Sequence, residues 1–351
     1  MQKHSRNGRE EQRLLTIPEI EAIYARSELI PPTDPVYARM EFPFKRRFYP
    51  LGFPVDISTN TEEVLEAAAQ SWATFTEAFQ TPPIRIQIGV MEGLSSECPP
   101  APTCRVQQHL FSYVADQENF GMNDMARGFS CIWLTEAAVR HRSYLRHFFL
   151  DCAVFCQIAT RCATGVHAAC VIRDGIGVLL CGDSGAGKST LSYACAKAGW
   201  TYVTDDLSFV IHDRDDRLVS GNCHQLRFRP SAGSIFPEIE GREITQRAEV
   251  GKPSIELGAT ALQNIDRSQT TEIKYVVFLN RRDGNNAAIR PYSKEIARHF
   301  IGQGRFSPLD LMPRHYEAID RLLQADVLEL RYRDLDWAIE QLEALVETAR
   351  P

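Results

Sequence analysis

No apolar run in this sequence approaches the ~18–20 residues needed to span a bilayer. The longest apolar-rich stretch, around Phe148 to Ile158, is interrupted by Asp151 and Gln157. The first residues, Met1 to Arg13, are polar and charged and lack the apolar centre of a secretory leader. The expected location is therefore the cytoplasm, with no membrane partner. An excess of positive charge is missing too. The net charge is −6, which argues against a broad basic surface for nucleic acid. Ten cysteines are present, but there is no C-x-x-C pair and no Cys/His cluster with zinc spacing. Cys152, Cys156, Cys170, Cys181 and Cys195 lie in apolar stretches and read as small hydrophobes. Cys98 and Cys104, flanking a Pro-rich loop, are the one pair to watch. No internal repeat is visible.

What remains is globular: 44% hydrophobic and 24% charged residues over 351 positions. That length predicts two domains, at roughly 100–200 residues each. The expected division is a disordered tail over 1–15, an N-terminal α/β domain over 16–160 and a second α/β domain over 161–351. In the first half, helices are expected at Ile17 to Ser27, before the breakers Pro31, Pro32 and Pro35, and at Glu62 to Phe79 behind a Thr61 cap. A long apolar helix is expected at Tyr144 to Arg161. Extended segments are expected at Glu41 to Tyr49, Phe53 to Ser58, Ile84 to Val90 and Phe129 to Leu134. Met91 to Pro102 reads as a loop. This half carries no chemical motif. It reads either as a recognition domain for substrate or partner, or as a packing or dimerisation domain.

The second half is expected to run as strands at Gly165 to Ile172, Gly175 to Cys181, Thr201 to Val203, Phe209 to His212, Lys274 to Asn280 and Val327 to Tyr332. Helices are expected at Ser189 to Ala198, ended by Gly199, and at Asp334 to Thr348. Between strand and helix lies Gly182-Asp183-Ser184-Gly185-Ala186-Gly187-Lys188-Ser189, which fits G-x-x-x-x-G-K-[ST] at every fixed position. Each position has a chemical reason. Glycines let successive backbone N–H groups curl inward as an anion nest. The start of the helix adds its positive dipole end. Lys188 brings a point charge to the β- and γ-phosphates. Ser189 and the neighbouring Thr190 stand where the helix begins, with the Ser189 hydroxyl placed for Mg²⁺. ATP and Mg²⁺ are the expected cofactors.

Asp205-Asp206 follows the next strand, where a second metal-side carboxylate is expected. Two adjacent acids can divide the work. One holds Mg²⁺, directly or through water, and the other takes a proton from an attacking hydroxyl. His167 lies in an apolar stretch and by itself reads as a core histidine.

Taken together, Gly165-Val166-His167, the hairpin with Gly175, the loop Gly182 to Ser189 and Asp205-Asp206 resemble the catalytic domain of bacterial HPr kinase/phosphorylase. The resemblance covers about Thr164 to Val210. It implies the small P-loop kinase fold related to phosphoenolpyruvate carboxykinase for the second half of this α/β chain, while the first half, read as α+β from its own pattern, does not resemble the family's usual N-terminal domain. It also implies that His167 sits by the catalytic acid, with Asp206 the base and Asp205 the metal-side acid, or the two exchanged. A homo-oligomer is a further implication. The family's Ile-Arg-Gly-Leu-Gly-like stretch after the acid pair is absent. Leu226-Arg227-Phe228-Arg229-Pro230-Ser231-Ala232-Gly233-Ser234 and Gly251-Lys252-Pro253-Ser254 stand instead. The resemblance therefore does not extend to HPr as acceptor or to phosphorylase activity. It is closer to divergent members that modify a serine of a peptide, such as a lasso-peptide precursor. The reading is a kinase acting on a serine of a protein or peptide. The alternatives are a nucleotide-binding regulatory module and a small-molecule kinase. Arg227, Arg229 and Lys252 are candidates to assist transfer, or else solvated surface charges.

Overall fold

The computed structural model describes residues 16–25, 40–244, 253–258, 262, 264–281, 287–303 and 307–349. The expected tail and Lys252 lie outside the described residues, as do the prolines at 31, 32 and 35. The fold is α/β, built on two large mixed sheets.

The first sheet has seven strands: β1 (Phe44–Phe48), β2 (Val55–Thr59), β3 (Ile84–Met91), β4 (Thr103–Gln107), β5 (Leu110–Val114), β6 (Phe120–Asp124) and β7 (Phe129–Thr135). Their order is β1-β2-β3-β7-β6-β5-β4. β2, β3 and β7 run parallel and the outer pairs antiparallel. The helix Glu62–Trp72 makes the crossover from β2 to β3, capped by the Thr61 side chain accepting from the Glu63 N–H. It stops seven residues short of the expected Phe79. Phe75 is buried, and Phe79 stacks on Phe53 with ring centroids 4.4 Å apart. The Ala78 and Phe79 N–H groups both donate to the Gly52 carbonyl, at 3.0 and 3.1 Å. Two aromatic anchors and a backbone clamp thus outweigh the few tenths of a kcal/mol that propensity offers each residue.

The hairpins of β4, β5 and β6 were not expected. β4 is exposed at every position, so it carries no alternation of burial for a pattern to reveal. The long helix is present as Arg142–Tyr144, a π-helical stretch Leu145–Asp151 and Cys152–Arg161. Its apolar side packs on the first sheet in one core with Phe209 and Ile211 of the second.

The second sheet contains β8 (Ala163–Val166), β9 (Ala168–Arg173), β10 (Ile176–Cys181), β11 (Thr201–Thr204), β12 (Ser208–Ile211) and β13 (Leu218–Gly221). Beyond a two-stranded ribbon of β14 (Gln225–Phe228) and β15 (Ile255–Gly258), it continues with β16 (Thr270–Arg281), β17 (Ala288–Pro291) and β18 (Asp326–Tyr332). The order is β11-β9-β10-β16-β13-β12-β8, with β18 joining β16 to β17. β10, β16 and β18 are parallel. The one extended segment expected from Gly165 to Ile172 is two strands. β8 pairs with β12 and β9 with β10, and the break falls at His167. Helices Lys188–Lys197 and Leu335–Thr348 cover one face. Helices Lys294–Gly302 and Met312–Leu322, which sequence reading missed, cover the other.

A buried polar chain ties the second of these faces to β8. Thr164 Oγ1 lies 2.8 Å from His212 Nε2 and 2.9 Å from His315 Nδ1, and His315 Nε2 lies 3.0 Å from Ser307 Oγ. His212 is only 6% exposed. Burial, then the neighbouring His315 and Arg314, push its imidazole down to about 3. The unfolded chain therefore takes up this proton near pH 6.5 and the folded chain does not. Its contribution to stability is complete above pH 6.5 and is lost as pH falls toward 3, at up to about 1.4 kcal/mol per unit. Buried Asp205 acts in the opposite direction between about pH 4 and 6, because its folded carboxyl holds a proton up to about 6. The test is therefore a difference. Denaturant unfolding of wild type and His212→Asn from pH 7 to 4 should show the wild-type advantage shrinking by roughly 1 kcal/mol per unit. A constant difference would mean that His212 titrates normally in the folded chain.

Candidate functional site

β10 is apolar and fully buried from Gly177 on, and it ends at the loop Gly182–Gly187. The helix Lys188–Lys197 begins directly behind that loop. Gly182, Gly185 and Gly187 take φ of +150°, +95° and +97°. An L side chain rarely adopts the last two. A Cβ on Gly187 would also lie 2.5 Å from the Tyr332 hydroxyl. Tyr332 Oη in turn donates to the Ala186 carbonyl at 3.2 Å, so the end of β18 braces the loop from below. Gly187→Ala should therefore displace the loop and lower Tm by roughly 2–8 °C, given ~1–2 kcal/mol of left-handed backbone strain. Adding Tyr332→Phe should restore part of that loss in thermal unfolding. No recovery would mean that the tyrosine does not press on the loop.

Lys188 is buried, and its ammonium folds back onto the loop, donating to the Gly182 carbonyl at 2.7 Å and the Asp183 carbonyl at 3.1 Å. Burial lowers its pKa, and Asp206 is the first of the charges that oppose this. Ser184 Oγ accepts from Arg229 Nη2 at 2.9 Å. Ser189 and Thr190, on the first turn of the helix, line the same cleft, and the Ser189 hydroxyl lies 3.5 Å from the Asp205 carbonyl oxygen.

The acid pair follows β11. Asp205 is 5% exposed. Its Oδ2 accepts from the Arg227 N–H and its Oδ1 lies against the Tyr202 hydroxyl, both at 3.1 Å. The Tyr202 hydroxyl is also 2.8 Å from the Gln225 carbonyl. That carbonyl can only accept, so one phenol proton serves two acceptors. Burial and then the charge of Asp206 push the Asp205 carboxyl up to about 6. Asp206 is different. It faces the cleft, with Oδ1 3.1 Å from His167 Nδ1. The hydrogen bond from His167 holds its carboxyl below the usual range. The break between β8 and β9 leaves His167 exposed beside Asp206, not in the core.

The β14–β15 ribbon supplies the basic side. Arg227 Nε lies 3.1 Å from Glu256 Oε1, and its Nη2 donates to Gln225 Oε1 at 3.0 Å. Arg227 is thus tied to Glu256 and Gln225 at the cleft wall, while Arg229, exposed, meets the loop at Ser184. Together these residues line a cleft of about 380 Å³. Arg281, at the end of β16, lines it as well and was not anticipated from sequence. It lies at the carboxyl end of β16, which runs parallel beside β10, and Tyr332 lies at the same end of β18, the next parallel strand, where open α/β sheets gather ligand contacts. That rule needs the strand order, which sequence does not supply. Among the described residues, no group of three or more His, Cys, Asp or Glu is arranged to hold a metal by itself.

No family model matches the chain, and no curated protein matches it. Among solved structures it is similar to the HPr(Ser) kinase/phosphatase from Coxiella burnetii, at 16% identity. The match covers 53% of this chain and 96% of that one, with a TM-score of 0.30. A likeness that distant carries no argument about the chemistry of the cleft. No helix among the described residues is long and apolar enough to cross a membrane.

Proposed function

We propose that this chain is an ATP- and Mg²⁺-dependent kinase that moves the γ-phosphoryl group to a hydroxyl, a serine of a protein or peptide. One observation carries the reading. A carboxylate oriented by a histidine, Asp206 with His167, faces the same cleft as a glycine loop, a helix start and the buried Lys188 ammonium. A site that only bound nucleotide would need the second set and not the first.

The residues fit the nucleotide and the metal. The loop carries the left-handed glycines that an anion nest requires, and the lysine is bound to carbonyls, not neutralised by a carboxylate. A hydroxyl and a carboxylate are oxygen donors of the kind that Mg²⁺ prefers, with phosphate oxygens and water completing its shell. The metal would supply positive charge against that of the phosphates. Ser189 would hold it directly. Asp205 would hold it as well, held in place itself by the Tyr202 hydroxyl and the Arg227 N–H. Lys188 would place its charge on the β- and γ-phosphates, with Arg227, Arg229 and Arg281 beside them. Asp206 would take the proton of the incoming hydroxyl. The remaining loop residues, Asp183, Ser184, Ala186 and Thr190, would line the phosphates.

Incubation with Mg²⁺ and γ-labelled ATP tests this against the alternatives. Label moving to a serine hydroxyl supports the kinase. Tight binding without turnover would leave a regulatory nucleotide module. Label moving only to free small alcohols would leave a small-molecule kinase. Ser189→Ala should raise the Mg²⁺ concentration needed for half-maximal transfer by about tenfold, since one direct ligand is worth about one charge-assisted hydrogen bond. An unchanged requirement would remove Ser189 from the metal.

A further inference from the structure

On the far side of the acid pair from the loop lies a second cavity, of about 510 Å³. Asp205, Asp206 and Arg227 line both cavities and so form the partition between them. The walls of the second are mostly apolar. Phe148 and Phe155 come from the helical stretch 145–161, Leu51 from the start of the first sheet, and Leu207 and Phe209 from the second. Cys104, exposed on β4, lies at the mouth. The volume falls within the ~300–1,000 Å³ typical of ligand sites.

Polar groups stand at the acid-pair end, and His147 and Asp151 add two more from the helical stretch. Asn222 is one of those at the acid-pair end. Its Oδ1 accepts from the His224 N–H at 3.2 Å, while its Nδ2 makes no hydrogen bond within the described residues. A serine brought to Asp206 carries a peptide group on either side, and a spare amide donor at that end can meet one of their carbonyls. A purely apolar alcohol would leave that donor desolvated and unpaired. Between Phe148, Phe155 and Phe209 the surface offered is mostly apolar. A main chain laid against those rings would lose its water and find few partners, whereas an apolar side chain needs none.

We infer that this cavity is the acceptor subsite, and that it takes a peptide serine whose neighbouring residue is bulky and apolar, with that side chain filling the space between Phe148, Phe155 and Phe209. The inference rests on the kinase reading above and adds the acceptor's chemistry to it. In the step it serves, the serine Oγ forms a bond to the γ-phosphorus. The bond from that phosphorus to the β,γ-bridging oxygen breaks, and its electron pair leaves with ADP. The serine proton passes to the Asp206 carboxylate. The first half of the chain thereby becomes the specificity wall of the site, not a packing module.

The experiment is a peptide array with one serine and each flanking position fixed in turn, phosphorylated with Mg²⁺ and γ-labelled ATP. Phe, Leu or Met beside the serine should raise kcat/KM by about 10–100-fold over Gly or Asp, the value of burying one large apolar side chain. Cys104→Lys puts a cation at the mouth and should move the preference toward an acidic flank. Phe148→Lys is the second variant should the first fail to fold, with thermal unfolding as the check for each. Transfer without a flank preference, or a preference that neither folded variant alters, would overturn the cavity assignment. Wild type that binds Mg²⁺·ATP, with binding lost in Lys188→Ala, yet labels no peptide would overturn the peptide acceptor and leave the nucleotide site standing. Wild type that binds no ATP would overturn both.

Discussion

Lys188→Ala should lower ATP affinity by about 10²–10³-fold and transfer by at least as much. A unit charge about 4 Å from a phosphate charge is worth about 4 kcal/mol at the effective dielectric of a protein surface, and somewhat less once water returns to the gap. The same change frees the Gly182 and Asp183 carbonyls that now hold the ammonium. The loop should therefore also soften, and thermal unfolding should show a small loss without nucleotide. Lys188→Arg keeps the charge but brings a planar fork where a compact ammonium fits, so it should rescue affinity only in part. Calorimetric titration with Mg²⁺·ATP measures both. Wild-type affinity in Lys188→Ala would remove the phosphate role of the loop.

The second large effect is expected at Asp206. Asp206→Asn should keep ATP affinity within a few-fold, since the amide is nearly isosteric and the loop is untouched. Transfer should fall by about 10²–10⁴-fold. The lower part of that range is favoured for a physical reason. The hydrogen bond from His167 holds the Asp206 carboxyl low, so it is a weak base. Phosphoryl transfer with a loose transition state also asks for the proton late. His167→Ala should then cost less than Asp206→Asn, because it removes the group that orients the carboxylate and leaves the carboxylate itself. Its exposure beside the cleft means that the fold should hardly notice. The readout is single-turnover transfer alongside thermal unfolding. Near-wild-type transfer in Asp206→Asn with an inactive Asp205→Asn would exchange the two acids. Near-wild-type transfer in both would reduce the pair to an acidic turn.

The glycine loop and its setting were legible in the sequence because they are local. β10, the loop and the following helix are consecutive, and each is specified by its own residues: a run of apolar side chains, three glycines, then a helix closed by Gly199. Asp205-Asp206 was legible for the same reason, as the end of a short strand seventeen residues from the loop's serine. His167 was not legible from its neighbours. Its surroundings are apolar, and only the interruption of the strand between β8 and β9 turns it toward Asp206. Helix length in the first half was misjudged because Phe75 and Phe79 find partners distant in sequence, Phe79 on Phe53 among them.

By itself the sequence determined the α/β class, the strand–loop–helix unit and the chemical identity of the groups in the cleft, because these depend on residues a few positions apart. The tertiary structure decided which of those groups meet. Arg227 reaches Asp205 and Arg229 reaches Ser184 of the loop only because the β14–β15 ribbon brings them there, and Arg281 reaches the cleft and Tyr332 the loop only because β16 and β18 run parallel to β10. It also separated the two acids, burying one against Tyr202 and leaving the other in the cleft with His167. Adjacent carboxylates of the same chemistry acquire opposite pKa shifts there, since desolvation and a directed hydrogen bond depend on where the chain places them, not on their order along it.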